Sequence, residues 1–295
     1  MQLSLGIGIG LPIKSGGVQG GGDAPILWTP EFADTTIWVD ALDSSTITES
    51  GGSVSQWDDK SGNEYHMTQT TGSNRPVTGF DSINGRNAIY SDGGSKFISA
   101  NNVLLPADGD FLVFSVYKLP EVSQTSGKVM HRGSLNFPSW RFVADIPSWR
   151  GVFQSRNGAD LGALNMTGSG NYGPSIAGQV INKTSSLGEA YLDGELRNTA
   201  AYPGVTPIDQ LQDLVQLFAG GSGGLNSIIG SIGEFIIASS IDEAERQLFE
   251  GYLAWKWGLE GNLPVDHPYK DNPPTVSGNF WNDAENWDDS QNWED

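Results

Sequence analysis

The chain has 295 residues, 37% of them hydrophobic and 17% charged, with 39 glycines, 10 tryptophans and no cysteine. Its formal net charge of -19 repels a phosphate backbone and disfavours nucleic acid as a partner. The lack of cysteine excludes disulfides and thiolate metal sites, and no run of about 20 apolar residues is present to span a membrane.

Residues 3–11 read LSLGIGIGL. Leu3, Leu5, Ile7, Ile9 and Leu11 alternate with Ser4 and three glycines, the period of a strand with one apolar and one bare face. No basic residue precedes the apolar part, unlike a secretory signal. Glycine makes this strand costly to order, and a lone strand is unstable in water, so it needs a partner sheet. The glycine-rich linker at 15–22 lets it reach roughly 15 Å. The arm is either donated to a neighbouring subunit or particle surface, or added as an edge strand to its own sandwich.

From Trp28 onward short apolar runs alternate with turn signals. Residues 36–39 form a first predicted strand. Residues 111–117 (FLVFSVY) are apolar at nearly every position, which predicts a strand buried on both faces. Residues 140–144 and 151–154 are further strands. Residues 189–192 and 195–199 flank Asp193-Gly194, the signal of a type I′ hairpin. Residues 228–238 read as two strand pieces around Gly230 and Gly233. One helix follows, with Ser240 as N-cap and Glu243 closing a capping box. Leu248, Tyr252, Trp255 and Leu259 recur at helical spacing, and Gly258 stops it. Gly251, which costs about 1 kcal/mol against alanine, marks close approach to the sheet. Many strands, one late helix and no βα alternation predict a mainly β, two-layer sandwich.

The tail carries Trp281, Trp287 and Trp293 at a spacing of six, among acids and amides. An even spacing puts all three on one face of an extended strand. They read as aromatic anchors of a clamp on a partner, because a disordered acidic tail is poor in aromatics. Pro273-Pro274 sets the tail apart, giving an arm at 1–27, a domain at 28–272 and a tail at 273–295.

Two blocks carry a family resemblance. The first is WVDALD at 38–43, VSQWDDKSGN at 54–63, then Gln69, Arg75-Pro76 and Asn84-Gly85. The second is IGEFII at 232–237, DEAER at 242–246, GYLAWKWGL at 251–259, Leu263-Pro264 and His267-Pro268-Tyr269. Together they resemble the two ends of LamG-like, concanavalin A-like jelly-roll domains. The resemblance implies a two-sheet jelly roll with one C-terminal helix and adjacent termini. Such domains occur in phage and marine viral structural proteins and in bacterial surface proteins. It therefore implies a virion structural protein (capsid decoration, head fibre or tail fibre) on the outer surface, working by binding and assembly rather than catalysis. Its partners would be other virion proteins or sister subunits in a homo-oligomer, a trimer being one such form, and a glycan. The alternatives are an extracellular glycosidase or lyase, and a free lectin.

Each candidate site has a plain structural reading beside it. Glu189, Asp193 and Glu195 have the parity of a hydrolase carboxylate set, but the turn at Asp193-Gly194 divides them between strands. Asp40, Asp43, Asp58 and Asp59 supply the hard oxygens that calcium takes, yet they also suit turn-capping, and no cofactor is expected. Trp140, Trp149 and Tyr172 are candidate glycan-stacking platforms, against a role in the core. Trp38, Trp57, Trp255 and Trp257 read as core, and His66, His131 and His267 as structural. The assembly residues are Leu3, Leu5, Ile7, Ile9, Trp281, Trp287 and Trp293.

Overall fold

A computed structural model gives the architecture. It describes residues 25–276 apart from 95, 97, 104–109, 121–126, 133–138, 146–147, 155–159, 167–172, 183–184, 186, 202–212, 219–227 and 240–241. For the strands between 127 and 166, and for 201, 213 and 214, the description is of the backbone. The assembly residues of the arm and tail and Tyr172 therefore lie outside it. Leu27–Thr275 forms one compact unit.

The unit is a mainly β sandwich, as its sequence predicts. The first sheet runs β1 (Thr35–Asp40), β18 (Ile229–Ala238), β9 (Phe111–Lys118), β14 (Ser175–Asn182), β15 (Leu187–Leu192) and β16 (Glu195–Ala201). A short β7 (Ile89–Asp92) shares the edge of β18 with β1. The second sheet starts with β13 (Asp160–Met166), β12 (Ser148–Gln154), β11 (Ser139–Asp145) and β10 (Gly127–Arg132). It continues with β17 (Asp213–Leu217), β8 (Ile98–Val103), β4 (Met67–Thr68), β3 (Ser53–Trp57) and β2 (Ile47–Ser50). A two-stranded ribbon, β5 (Ser82–Ile83) with β6 (Arg86–Asn87), stands apart. Every strand pairing is antiparallel.

β9 is buried at seven consecutive positions from Phe111 to Tyr117. One set of alternate residues faces helix α1 (Glu243–Trp257): Phe114 stacks on Phe249 with centroids 5.4 Å apart. The other set, with Val113 and Ser115, is buried equally, as the inner layer of a sandwich must be. Asp193 (φ 51) and Gly194 (φ 81) both adopt the left-handed region, the type I′ turn expected between β15 and β16.

Four local expectations are revised. Residues 228–238 do not break at the two glycines: β18 is continuous and trades β7 for β1 along its length. Its ladder with β9 shifts register between Ile232 and Glu234, so Gly233 is a bulge rather than a break. The helix N-cap is Asp242, whose Oδ1 accepts from Glu245 N at 3.1 Å; the capping spacing repeats two residues downstream of the predicted pair. The buried helical stripe is Phe249, Leu253 and Trp257 with Tyr252, while Leu248 and Trp255 are only half-buried. Finally, a Cβ on Gly251 would lie 2.6 Å from Tyr269 Cβ, so that glycine admits the chain after the helix, not the sheet.

Candidate functional site: a carboxylate pair closed by lysine

The two motif blocks meet where β1 lies beside β18. Asp40 pairs directly with Glu234 across the ladder, and both are buried. Like charges directly opposite each other destabilise a sheet unless a cation intervenes. Lys256, from the last turn of α1, supplies it: Nζ lies 2.7 Å from Asp40 Oδ2 and 2.8 Å from Glu234 Oε2. The same ammonium donates to the Tyr252 hydroxyl at 2.7 Å, so all three of its donors are used.

Glu234 is fully satisfied. Oε1 accepts from Trp38 Nε1 at 2.7 Å and from the Tyr252 hydroxyl at 2.9 Å. Oε2 accepts from Trp257 Nε1 at 2.7 Å besides Lys256. Burial still pushes the Glu234 carboxyl above its ordinary pKa, with Lys256 pulling the other way and Asp40 adding to the rise. On the outer side Lys60 reaches Asp40 at 3.3 Å and Asp43 at 2.9 Å, 4.5 Å from the centre of the Trp38 ring. Burial favours the neutral amine, but the carboxylates of Asp43 and Asp40 outweigh it and raise the Lys60 pKa.

The first block also covers an open sheet edge. Among the described strands, β1 pairs with β18 alone. On its other side Asp59 Oδ1 accepts from Trp38 N at 2.8 Å, and Lys60 N donates to Trp38 O at 2.7 Å. Ser61 Oγ donates to Thr36 O, and Asn63 Nδ2 to Thr35 O and Thr36 O. Loop residues thus occupy the groups through which an exposed edge would recruit another strand. Asn84 is spent similarly, its Nδ2 donating to Trp257 O and Gly258 O at the helix C-terminus.

In the second block, Arg246 meets Glu250 at 2.6 Å and stands 3.9 Å over Tyr191. His267 Nδ1 accepts from Tyr269 N at 3.2 Å, leaving Nε2 facing Glu250 Oε2 at 3.2 Å. The Tyr191 hydroxyl donates to Glu189 Oε2 at 2.7 Å. Asp193 Oδ1 accepts from Ile176 N and docks the β15–β16 turn onto β14, whereas Glu195 follows on β16.

The four acids considered for calcium do not share one cage. Asp40 and Asp43 converge on Lys60, Asp58 accepts from Gln56 Nε2, and Asp59 takes backbone N–H groups of Trp38, Ser61 and Tyr65. Among the described residues no three His, Cys, Asp or Glu side chains are grouped to hold a metal. Trp140 and Trp149 lie on β11 and β12. Trp140 is in register with Arg132, which is in register with the buried Val215. His66 Nδ1 accepts from Asp59 N, and the side chain of His131 lies outside the described residues.

Sequence reading missed Glu234, Lys60 and Lys256 as one cluster. The available signal was a lone glutamate inside the apolar run GEFIIA: an acid on a strand buried on both faces requires a cation or several donors.

No family model and no curated protein matches the chain. In fold it is similar to the binding domain of Paraclostridial mosquitocidal protein 1, with 11% identity, a TM-score of 0.55 and 74% of this chain covered. It is likewise similar to the botulinum neurotoxin serotype G binding domain, with 12% identity, a TM-score of 0.54 and 77% covered. The chain spans 52% of each of those structures. Likeness at such identity is a statement about fold, and function must be argued from the site.

Proposed function

We propose that the chain is a binding and assembly module: a lectin-like jelly roll, without catalysis of its own, displayed on the outer surface of a virion. Its ligand is a glycan, and its terminal segments fasten it to sister subunits or other virion proteins. The observation that carries the binding half is the sandwich fold, shared with the binding domains of Paraclostridial mosquitocidal protein 1 and botulinum neurotoxin serotype G. The motif residues support it from the other side. The buried carboxylate pair Asp40–Glu234, which could invite a hydrolytic reading, is closed over by Lys256, Tyr252 and two indoles.

The assembly half rests on how the body ends. Leu27 pairs antiparallel with Thr275, and Trp28 N donates to Pro274 O at 2.9 Å. The chain enters and leaves the body at one place, so an arm and a tail starting there can engage the same neighbour.

A glycan array probed with the full chain tests the first half; a specific saccharide should be retained, and a blank array would overturn it. Immuno-imaging of intact particles and sedimentation of the chain lacking residues 1–22 test the second. Surface labelling and loss of association on truncation are expected. A truncated chain that assembles normally would remove the arm from the account.

A further inference from the structure

Away from the motif network, Phe80 is an apolar side chain displayed to solvent. It is 71% exposed, yet its ring stacks on Tyr90 with centroids 4.6 Å apart and planes 29° apart. A single exposed phenylalanine is ordinary. An exposed phenylalanine on a fully braced loop is less so. Val77 exchanges both backbone hydrogen bonds with Tyr90. Asn87 Oδ1 accepts from the Thr78 hydroxyl and from Gly79 N, each at 3.1 Å. Asp81 is held by Lys118 at 2.7 Å through one oxygen and by the Ser231 hydroxyl at 2.7 Å through the other. Residues on both sides of Phe80 are thus fixed, so little ordering entropy remains to be lost when something lands on the ring.

Polar groups border the platform. Tyr90 and Asp92 alternate outward on β7 while Ile89 and Ser91 are buried. Among the described residues the Tyr90 hydroxyl has no hydrogen-bond partner, while burial and the nearby charges of Asp92 and Asp81 raise its pKa and keep it protonated as a donor. Asp92 has a side chain 55% exposed, with Lys96 no nearer than 3.9 Å. A flat apolar ring face beside a hydroxyl donor and an exposed carboxylate acceptor matches a pyranose, which offers C–H groups on one face and hydroxyls at its rim. The ligand is further restricted by charge. A chain at -19, with a carboxylate at the rim, disfavours sialylated or sulfated sugars.

We propose that Phe80, Tyr90 and Asp92 form a subsite for a neutral pyranose, Phe80 stacking on the ring and Asp92 and the Tyr90 hydroxyl bonding its hydroxyls. This deepens the glycan-binding reading and rests on it. The test compares the full-length wild type with Phe80→Ala, Phe80→Trp and Asp92→Asn on an array holding neutral, sialylated and sulfated glycans, with thermal midpoints recorded in parallel. Expected is binding of a neutral glycan that weakens roughly tenfold or more in Phe80→Ala and Asp92→Asn at unchanged midpoint, and survives in Phe80→Trp. Equal binding by Phe80→Ala would overturn the subsite and leave glycan binding standing. Binding confined to acidic glycans would overturn it in the same way. No binding by the wild type would overturn both readings together.

Discussion

Gly233 lies directly beneath the indole of Trp257: a Cβ built on this glycine would fall 2.6 Å from Cη2 and 2.8 Å from two further ring atoms. The indole cannot move aside cheaply, because it is fully buried and its Nε1 is committed to Glu234. Gly233→Ala is therefore expected to lower stability by about 1–3 kcal/mol through overpacking. Gly72→Ala, where a Cβ meets nothing within 4 Å, should change it by no more than about 0.5 kcal/mol. Urea midpoints of the two variants check the contrast.

Lys256→Met leaves Asp40 and Glu234 opposed without the ammonium that bridges them. Breaking a buried pair in this way costs about 3–5 kcal/mol. Burial already raises the Glu234 pKa above 4.5 and Lys256 opposes the rise, so the variant raises it further. A carboxyl whose folded pKa is raised adds stability below its unfolded value and loses it as pH climbs through the folded one. The deficit of Lys256→Met should therefore widen from pH 4.5 toward pH 7. Lys60→Met should cost only about 1 kcal/mol, because its nearer partner Asp43 is 33% exposed and screened by water.

Asp81 has the opposite sign. Burial works against its ionisation, but hydrogen bonds from Lys118 and Ser231 prevail and hold its pKa below 3.8. Its contribution is present above the ordinary carboxylate value and disappears as pH falls through the folded one. Asp81→Asn should be less stable than wild type by about 1 kcal/mol at neutral pH, after allowance for solvent screening. The gap should close as pH falls below 3.8. Chemical denaturation of both proteins at several pH values gives the difference directly.

How much of this was legible in the sequence depended on the range of each interaction. The run at 111–117 and the turn at Asp193-Gly194 are local signals, and both stand where they were read. The sequence marks the helix but places its entry two residues early, because a capping residue followed three positions on by glutamate occurs twice, at Ser240–Glu243 and at Asp242–Glu245, and local chemistry cannot rank them. Gly230 and Gly233 looked like strand breakers because the side chains that demand them, Leu119 and Trp257, lie far off in sequence. The same distance hid the network. Asp40 invites a cation in any reading, but that the cations are Lys60 and Lys256 emerges only once β1, its flanking loop and the helix have come together.

Those lysines also bear on calcium. An ion competing for Asp40 and Asp43 would have to displace ammonium groups 2.7–3.3 Å away. Chelation with EDTA, and addition of calcium in the millimolar range, are each expected to leave the thermal midpoint unchanged. A ligand present at a hundred times its dissociation constant would add about 2.7 kcal/mol, which a melting curve readily resolves. A midpoint rising with calcium would place a site elsewhere on the chain.

The boundary of the compact body runs close to Trp28. Its indole is buried and packs edge-on against Phe249 at 4.9 Å and Tyr252 at 6.1 Å, so it closes the helix layer. The preceding residues Ile26 and Leu27 are 59% and 52% exposed and contribute little to that layer. Removing residues 1–22 should therefore leave the unfolding midpoint of the body nearly unchanged, while Trp28→Ala in the full chain should cost about 3–5 kcal/mol. Circular dichroism melts of the two proteins separate the cases. If the truncated chain melts as low as Trp28→Ala, the arm contributes to the stability of its own domain, and the proposal that it acts on a neighbour loses its physical basis.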